Sequence, residues 1–296
     1  MTSAPSTAWT ILKVLRWSCS YLEARGVSEP RPSAEVLLAH CLGGSRLDLY
    51  LHYDQPLGEN ELSCYKKLLK RRLAHEPTQY ITGRQEFWSL DFLVTPAVLI
   101  PRPETELLVE VAAAYLQGQR AEETSVRLID VGTGSGVLAV VLAKEHPQAQ
   151  VTALDQSWEA LCLARQNARR HGVEERIRFI MGDLLAALRP EAQFDLIVSN
   201  APYVPTAEWL CLPSDIKDYE PRLALDGGVD GLDVIRRLVQ AAPGYLKAGG
   251  LLALEVGQGQ SAAVEQLLAH GGAFTPAEIR RDFQYIPRVV SARRLN

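Results

Sequence analysis

A chain of 296 residues, 47% hydrophobic and 22% charged, is long enough for two domains or one large α/β domain and has an ordinary globular balance. Its net charge of −4 argues against a general nucleic-acid binder, which carries a basic footprint. Five scattered cysteines with no C-x-x-C pair argue against a disulfide framework or a zinc site and fit a reducing cytoplasm. The N-terminus "MTSAPSTAW" lacks the basic region and apolar core of a secretory signal, and no apolar run reaches the roughly 18 residues of a membrane span.

The first 78 residues read as a small helical bundle. "TAWTILKVLRWSCSYLEARG" places Trp9, Leu12, Leu15 and Leu22 near helical spacing and closes on Gly26. "SAEVLLAHCLG" reads as a short helix ending at Gly43, and "GENELSCYKKLLKRRLAHEP" as another stopped at Pro77. Lys66, Lys67, Lys70, Arg71 and Arg72 on the last helix are expected on a solvated face. Residues 79–102 change character. "QEFWSLDFLVTP" is aromatic and β-branched, with Ser89-Leu90-Asp91 as its turn, and reads as a hairpin linking two domains. In "IPRPETELLVEVAAAYLQG", Pro103 suits the first turn of a helix, and Glu104 and Glu106 suit its positive end.

From residue 103 to 296 the expectation is an α/β domain. "VRLIDVG", "QVTALDQ", "RIRFIMGD", "FDLIVSN" and "LLALEVG" read as strands, with helices such as "GVLAVVLAKEH" and "LDVIRRLVQAAPGYLKAGG" between them. Two closing strands are expected around Glu278–Asp282 and Arg288–Ala292. The alternation predicts a doubly wound, mostly parallel sheet, on which ligands bind at the carboxyl ends of the strands.

Four features converge on those strand ends. "DVGTGSG" sets Gly132, Thr133, Gly134, Ser135 and Gly136 between a buried strand and a helix, where glycine permits a tight turn and close backbone approach to a ligand. The spacing is G-x-G-x-G, whereas the dinucleotide fingerprint G-x-G-x-x-G would need a glycine at Val137. Asp155 ends the next strand about 20 residues later, where an acid accepts hydrogen bonds from ribose hydroxyls. Asp183 follows the third strand and is placed to meet an adenine amino group; a helix cap is its bland alternative.

The fourth feature is "VSNAPYV". The Asn200 carboxamide oxygen and the carbonyl of Ala201 are two acceptors for the N–H groups of a planar amide or amine, with Pro202 following and Tyr203 placed to stack on the plane. An amide nitrogen is a poor nucleophile because its lone pair is delocalised. Acceptors that draw its hydrogens out of plane favour the tetrahedral nitrogen formed during alkyl transfer, so the catalysis is positioning and electrostatics. Glu255 ends "LLALE" and either faces the crevice or merely terminates a strand. Phe87, Pro101, Arg102 and Glu104 lie in segments that flank the expected ligand or simply pack the hairpin. The six histidines show no metal spacing, and no metal is expected.

"DVGTGSG", Asp155, Asp183 and "SNAPY", in this order, resemble the class I S-adenosylmethionine-dependent methyltransferases. "QYITGRQEFWSLDFLVTPAVLIPRPETE", "DYEPRLALDGGVDGLDVIRR" and "LKAGGLLALEVGQGQ" are similar to the HemK/PrmC family of protein-(glutamine-N5) methyltransferases. The resemblance implies methyl transfer from S-adenosyl-L-methionine, leaving S-adenosyl-L-homocysteine, to the glutamine of the Gly-Gly-Gln motif in class 1 peptide chain release factors, modulating translation termination. It implies a cofactor site at Gly132–Gly136, Asp155, Asp183, Leu184 and Asn200. It also implies a glutamine site at Asn200–Tyr203 and an N-terminal domain that helps hold the release factor.

The chain departs from the family pattern twice. Leu184 stands where relatives often carry an aromatic residue, and Ala201 replaces the first proline of N-P-P-Y. Pro202 still biases Ala201 toward an extended backbone, so its carbonyl is retained while the φ lock is lost. The competing assignment is an adenine-N6 or cytosine-N4 methyltransferase acting on nucleic acid, since the same cage suits an exocyclic amine. A non-catalytic cofactor-binding module is a third. The leading assignment carries the expectation of a cytoplasmic monomer with no stable nucleic-acid partner and no membrane association.

Overall fold

The computed structural model describes residues 8–118 and 126–296, which form two compact units. Residues 1–7, on which the absence of a secretory signal was judged, lie outside them. Among the described residues no helix is long and apolar enough to cross a membrane.

The first unit comprises residues up to Gly83 together with Pro213–Tyr219. Its helices are α1 (Ile11–Glu23), α2 (Pro30–Leu42), α3 (Arg46–Leu51), α4 (Glu59–Leu73) and α5 (Thr78–Thr82). The Thr10 side chain caps α1, and Ile11, Val14, Ser18 and Leu22 form its buried stripe, one residue every three or four. Trp9 is exposed. Ser45 and Asp48 close a capping box on α3. On α4, Lys66, Lys67, Lys70 and Arg71 are solvated as expected. Arg72 is not: its side chain is 4% exposed and donates to Ser28 Oγ at 2.8 Å and to the Glu76 carbonyl at 3.2 Å. It also lies 3.6 Å from Asp215, which sits on the short helix α9 (Ser214–Lys217) far along the chain. Tyr219 donates to the Ala74 carbonyl at 2.6 Å. A stretch expected in the α/β domain is therefore structurally part of the helical unit. One cysteine pair also meets, contrary to expectation: Cys41 on α2 and Cys64 on α4 form a disulfide with Cα atoms 6.3 Å apart.

The second unit begins at Arg84 with the hairpin β1 (Arg84–Phe87) and β2 (Leu90–Leu93). The span 79–102 is divided between the two units at Gly83 and Arg84. Its first residues are helix α5 in the first unit, and the hairpin belongs to the second. The turn lies at Trp88-Ser89, with φ of 53° and 56°, one position before the expected turn. Two consecutive left-handed residues match the twist of a tight hairpin, although neither residue type advertises that conformation.

The remaining elements are α6 (Glu106–Gly118), β3 (Arg127–Val131), α7 (Val137–Glu145), β4 (Gln150–Asp155), α8 (Trp158–Arg170), β5 (Ile177–Met181), β6 (Phe194–Ser199), α10 (Asp233–Ala241), β7 (Leu246–Glu255), α11 (Ser261–His270), β8 (Glu278–Arg281) and β9 (Pro287–Arg293). The seven strands β3–β9 are ordered β5-β4-β3-β6-β7-β9-β8; β3 to β7 pair in parallel and β9 is antiparallel to both its neighbours. Strand β7 starts at Leu246, so "LKAGG" is strand, where a helix end was expected.

The period of two sets the layers. Leu128, Leu196, Val198 and Ala253 face one apolar cluster with α6 and α7, while Ile129, Ile197, Leu252 and Leu254 face another with α10 and α11. Chain order reverses at β3, between β4 and β6. Such a switch point opens a crevice beyond the carboxyl ends of the strands.

Candidate active site

The crevice holds a cavity of about 390 Å³, within the range of small-ligand sites. Gly132, Thr133, Gly134 and Ser135 line it from β3, Asp155 from β4, and Asn200, Ala201 and Pro202 from β6. The three glycines all have positive φ, of 76°, 54° and 84°. A Cβ on Gly132 or Gly134 would meet nothing within 4 Å, so this part of the loop is an open cradle. Gly136 differs. It is not on the cavity wall, and a Cβ there would stand 2.9 Å from Ala164 Cβ on α8. This close approach gives Gly136 a packing role beside the expected cofactor contact: the third glycine lets α7 start against α8.

The loop is held by its own strand ends. The Gly132 and Thr133 N–H groups donate to the Leu154 carbonyl at 2.8 and 2.9 Å. Asp155 accepts from Gly134 N–H at 2.8 Å and Ser157 N–H at 2.9 Å, and burial pushes its carboxyl up from the ordinary range. Beneath the loop, Asp130 Oδ2 accepts from Thr133 Oγ1 at 2.6 Å and Ala139 N–H at 3.2 Å. Asp130 is fully buried, burial pushes its carboxyl up to about 7, and its Oδ1 has no hydrogen-bond partner among the described residues. Buried Asn167 donates to the Ser135 carbonyl at 2.8 Å and exchanges hydrogen bonds with the Leu93 backbone, tying the loop to the hairpin.

Asp183 and Leu184 both reach the cavity. Asp183 is half exposed and forms an ion pair with Arg237 at 2.6 Å. Leu184 has φ 48° and packs against the apolar cluster beneath the α10 face, giving an aliphatic wall at that position.

On β6, Ser199 Oγ donates to the Val131 carbonyl at 2.6 Å, joining the two strand ends at the switch point. Asn200 Nδ2 donates to Thr105 Oγ1 at 3.1 Å, which leaves its carboxamide oxygen for another donor. Ala201 is 2% exposed and belongs to the core. Tyr203 is not on the cavity wall. Burial pushes its phenol up, and its side chain packs against the apolar cluster that includes Ala201. Its carbonyl accepts from Gln260 Nε2 at 2.8 Å, and Gly257 N–H donates to the same side chain's oxygen at 2.9 Å. Val204 N–H donates to the Leu225 carbonyl at 2.8 Å.

Several residues around the site carried no sequence signal. Thr105 sat inside "RPETE" as an ordinary helix-start residue. Glu220, 5% exposed, accepts from Ile100 N–H at 3.1 Å and pairs with Arg102, and Pro221 beyond it lines the cavity. Of the flanking candidates, Pro101 lines the cavity, Phe87 is core, and Glu104 stands 4.0 Å from Arg288.

This strand order, with a glycine loop at the switch point and an acid on the neighbouring strand, defines a class I methyltransferase fold. Solved structures agree at the level of fold. The hMettl16 catalytic domain, in complex with an RNA hairpin, superposes with a TM-score of 0.56 at 14% identity, covering 76% of this chain and 81% of that one. A methyltransferase from Pyrococcus furiosus gives 0.50 at 18% identity, covering 77% and 98%. Family models match as the PrmC N-terminal domain over residues 13–83 and the methyltransferase small domain over 105–209. The release factor glutamine methyltransferase of Geobacter sulfurreducens is 46% identical over 293 residues, 99% of each chain. That of Chlorobaculum tepidum is 42% identical over 287 residues, covering 96% and 97%. The chain belongs to the release factor glutamine methyltransferase family.

Proposed function

We propose that this protein methylates the side-chain amide nitrogen (N5) of the glutamine in the Gly-Gly-Gln motif of class 1 peptide chain release factors, as a cytoplasmic monomer using S-adenosyl-L-methionine. The observation that carries the reading is the Asn200 carboxamide, oriented by Thr105 at the end of β6, on the same cavity as the glycine cradle of β3. The residues present fit the cofactor. Gly132–Ser135 offer open backbone, Asp155 offers carboxylate lone pairs to ribose hydroxyls, and Asp183 and Leu184 stand where a base would lie. When bound, S-adenosyl-L-methionine supplies an electrophilic methyl group.

The chain's own contribution is to the acceptor. The Asn200 oxygen and the Ala201 carbonyl accept the two amide N–H bonds and hold them out of the amide plane, which returns the lone pair to nitrogen. With the cofactor held by the glycine cradle and Asp155, that lone pair would take up the methyl group the cofactor supplies, the carbon–sulfur bonding electrons remaining on sulfur. One N–H proton is released after transfer. Asn200 has no group able to take it, so the clamp acts by geometry and charge.

The test is mass spectrometry of a release factor incubated with the protein and cofactor. One methyl group on the Gly-Gly-Gln glutamine is expected, and Asn200→Ala should abolish it with a far smaller loss in cofactor binding measured by calorimetry. Transfer of labelled methyl groups to nucleic acid and not to release factor would overturn the reading.

A further inference from the structure

The seven-stranded sheet ends in a hairpin that the amide clamp does not use. Strands β8 and β9 pair with Arg281 opposite Pro287, so residues 282–286 form its tip. There Phe283 is fully exposed and Tyr285 is 81% exposed. Among the described residues no large hydrophobic side chain is more exposed than Phe283. Scattered surface aromatics are ordinary, but two on one five-residue tip ask for a reason.

The tip is both braced and strained. Asp282 Oδ1 accepts from Gln284 N–H at 2.8 Å and from Ile286 N–H at 3.0 Å, while Asp282 Oδ2 accepts from Arg288 Nε at 2.9 Å. Asp282 N–H donates to the Ile286 carbonyl at 2.9 Å, and the Arg281 side chain donates to the Tyr285 carbonyl at 3.0 Å. Tyr285 is held at φ 62°, a left-handed conformation that is an outlier for a bulky residue. Glycine would adopt it freely, and the exposed tyrosine ring offers no packing to offset the strain. A strained aromatic facing solvent from a braced loop calls for a contact outside the chain.

The sheet fixes where the tip stands. Ser199 of β6 pairs with Leu254 of β7, and Glu255 of β7 with Val289 of β9. Asn200, Glu255 and Val289 are therefore level, and β9 lies two strand spacings from β6, roughly 10 Å. Because β9 runs antiparallel to β7, the hairpin rises beyond this level at the carboxyl edge, where the crevice opens. Arg288 stands there too, 4.0 Å from Glu104, the chain neighbour of the cavity residue Thr105.

We propose that Phe283 and Tyr285 are docking anchors for the protein that carries the target glutamine, taking apolar surface beside its Gly-Gly-Gln segment. The inference rests on the proposed function. A glutamine side chain in the clamp brings its own backbone to the mouth of the crevice, and the two glycines before it have no side chains to be read. Discrimination of the carrier protein then falls to surface outside the clamp, and the tip stands within reach of it. Aromatic side chains on a braced loop bring large contact area and lose little freedom on docking.

The experiment uses the full chain and an intact class 1 release factor. Phe283→Ala and Tyr285→Gly should each raise KM for the release factor roughly tenfold, with kcat and S-adenosyl-L-methionine affinity at their wild-type values. Tyr285→Gly separates docking from folding. Relieved of left-handed strain, it should melt no lower than the wild type while engaging its substrate more weakly. A wild-type KM in both variants would overturn the proposal. So would a rise in KM matched by an equal loss of cofactor affinity, or a lower melting temperature in Tyr285→Gly. A wild-type protein that methylates no release factor would bring down the function above and this inference with it, whereas methylation with unchanged KM in the variants sinks this inference alone.

Discussion

Gly136 and Gly134 offer a direct test of how the G-x-G-x-G loop divides its work. Gly136 has φ 84°, and an added Cβ would lie 2.9 Å from Ala164 Cβ and 3.1 Å from Ala164 Cα. The obstacle includes α8 backbone, which cannot swing aside as a long side chain would. A left-handed L-residue costs about 1–2 kcal/mol, and overpacking a filled site adds roughly 1–3 kcal/mol. Gly136→Ala should therefore destabilise by about 2–5 kcal/mol. Gly134 has φ 54°, and its Cβ would meet nothing within 4 Å, so only the backbone cost of about 1–2 kcal/mol applies. That methyl group would sit on the cavity wall, so Gly134→Ala should lose more in cofactor affinity than in stability, and Gly136→Ala the reverse. Urea unfolding with m-values compared between variants measures the first quantity, and calorimetric titration with S-adenosyl-L-methionine the second. Equal stability losses, or a Gly136→Ala variant as stable as wild type, would refute the assignment of Gly136 to helix packing.

Two further outcomes follow from buried groups. The folded protein holds a proton on Asp130 up to about pH 7, whereas the ordinary value is 3.8. The unfolded chain releases that proton first, so the contribution to stability is present at low pH and is lost as pH rises through about 7. Asp130→Asn keeps an acceptor for Thr133 and Ala139 but cannot ionise. It should avoid roughly 2–3 kcal/mol of the wild type's loss between about pH 5 and pH 8 in urea unfolding, and parallel pH curves would refute this. Ala201→Pro removes no hydrogen bond, because the Ala201 N–H has no backbone partner among the described residues. It should raise the unfolding free energy by about 0.4–1 kcal/mol and raise the methyl-transfer rate by at most about fivefold. An unchanged rate would show that the missing ring does not loosen the clamp.

The residues that carry local period or local chemistry were legible before the structure. The alternating strand runs led to the sheet, and the order of "DVGTGSG", Asp155, Asp183 and "SNAPY" led to its carboxyl edge. What escaped depended on chain segments distant in sequence. Arg72 looks solvated at its place on α4, and only Asp215, Ser28 and Ser33 explain its burial. Cys41 and Cys64 look isolated at a separation of 23 residues until α2 packs on α4. Tyr203 is expected to stack on the amide; its side chain packs against the apolar cluster that includes Ala201, a neighbourhood built by β7 and α10. Thr105 has no motif at all; its contact with Asn200 joins residues 95 positions apart in the chain.

Those distant contacts change the meaning of Ala201. A proline at that position stiffens one φ, which is worth about 0.4–1 kcal/mol. Around Ala201 the structure sets Asn200 on Thr105, the Tyr203 carbonyl on Gln260, and Val204 on Leu225. Each such bond contributes about 0.5–1.5 kcal/mol. Gly231 also approaches so closely that an added Cβ would lie 2.3 Å from the Tyr203 carbonyl oxygen. The segment after β6 is therefore held at several points by other elements, and the lost ring is one restraint among them. Thr105 and Gln260 carry part of that restraint. That is why their removal should cost more catalysis than restoring the proline returns.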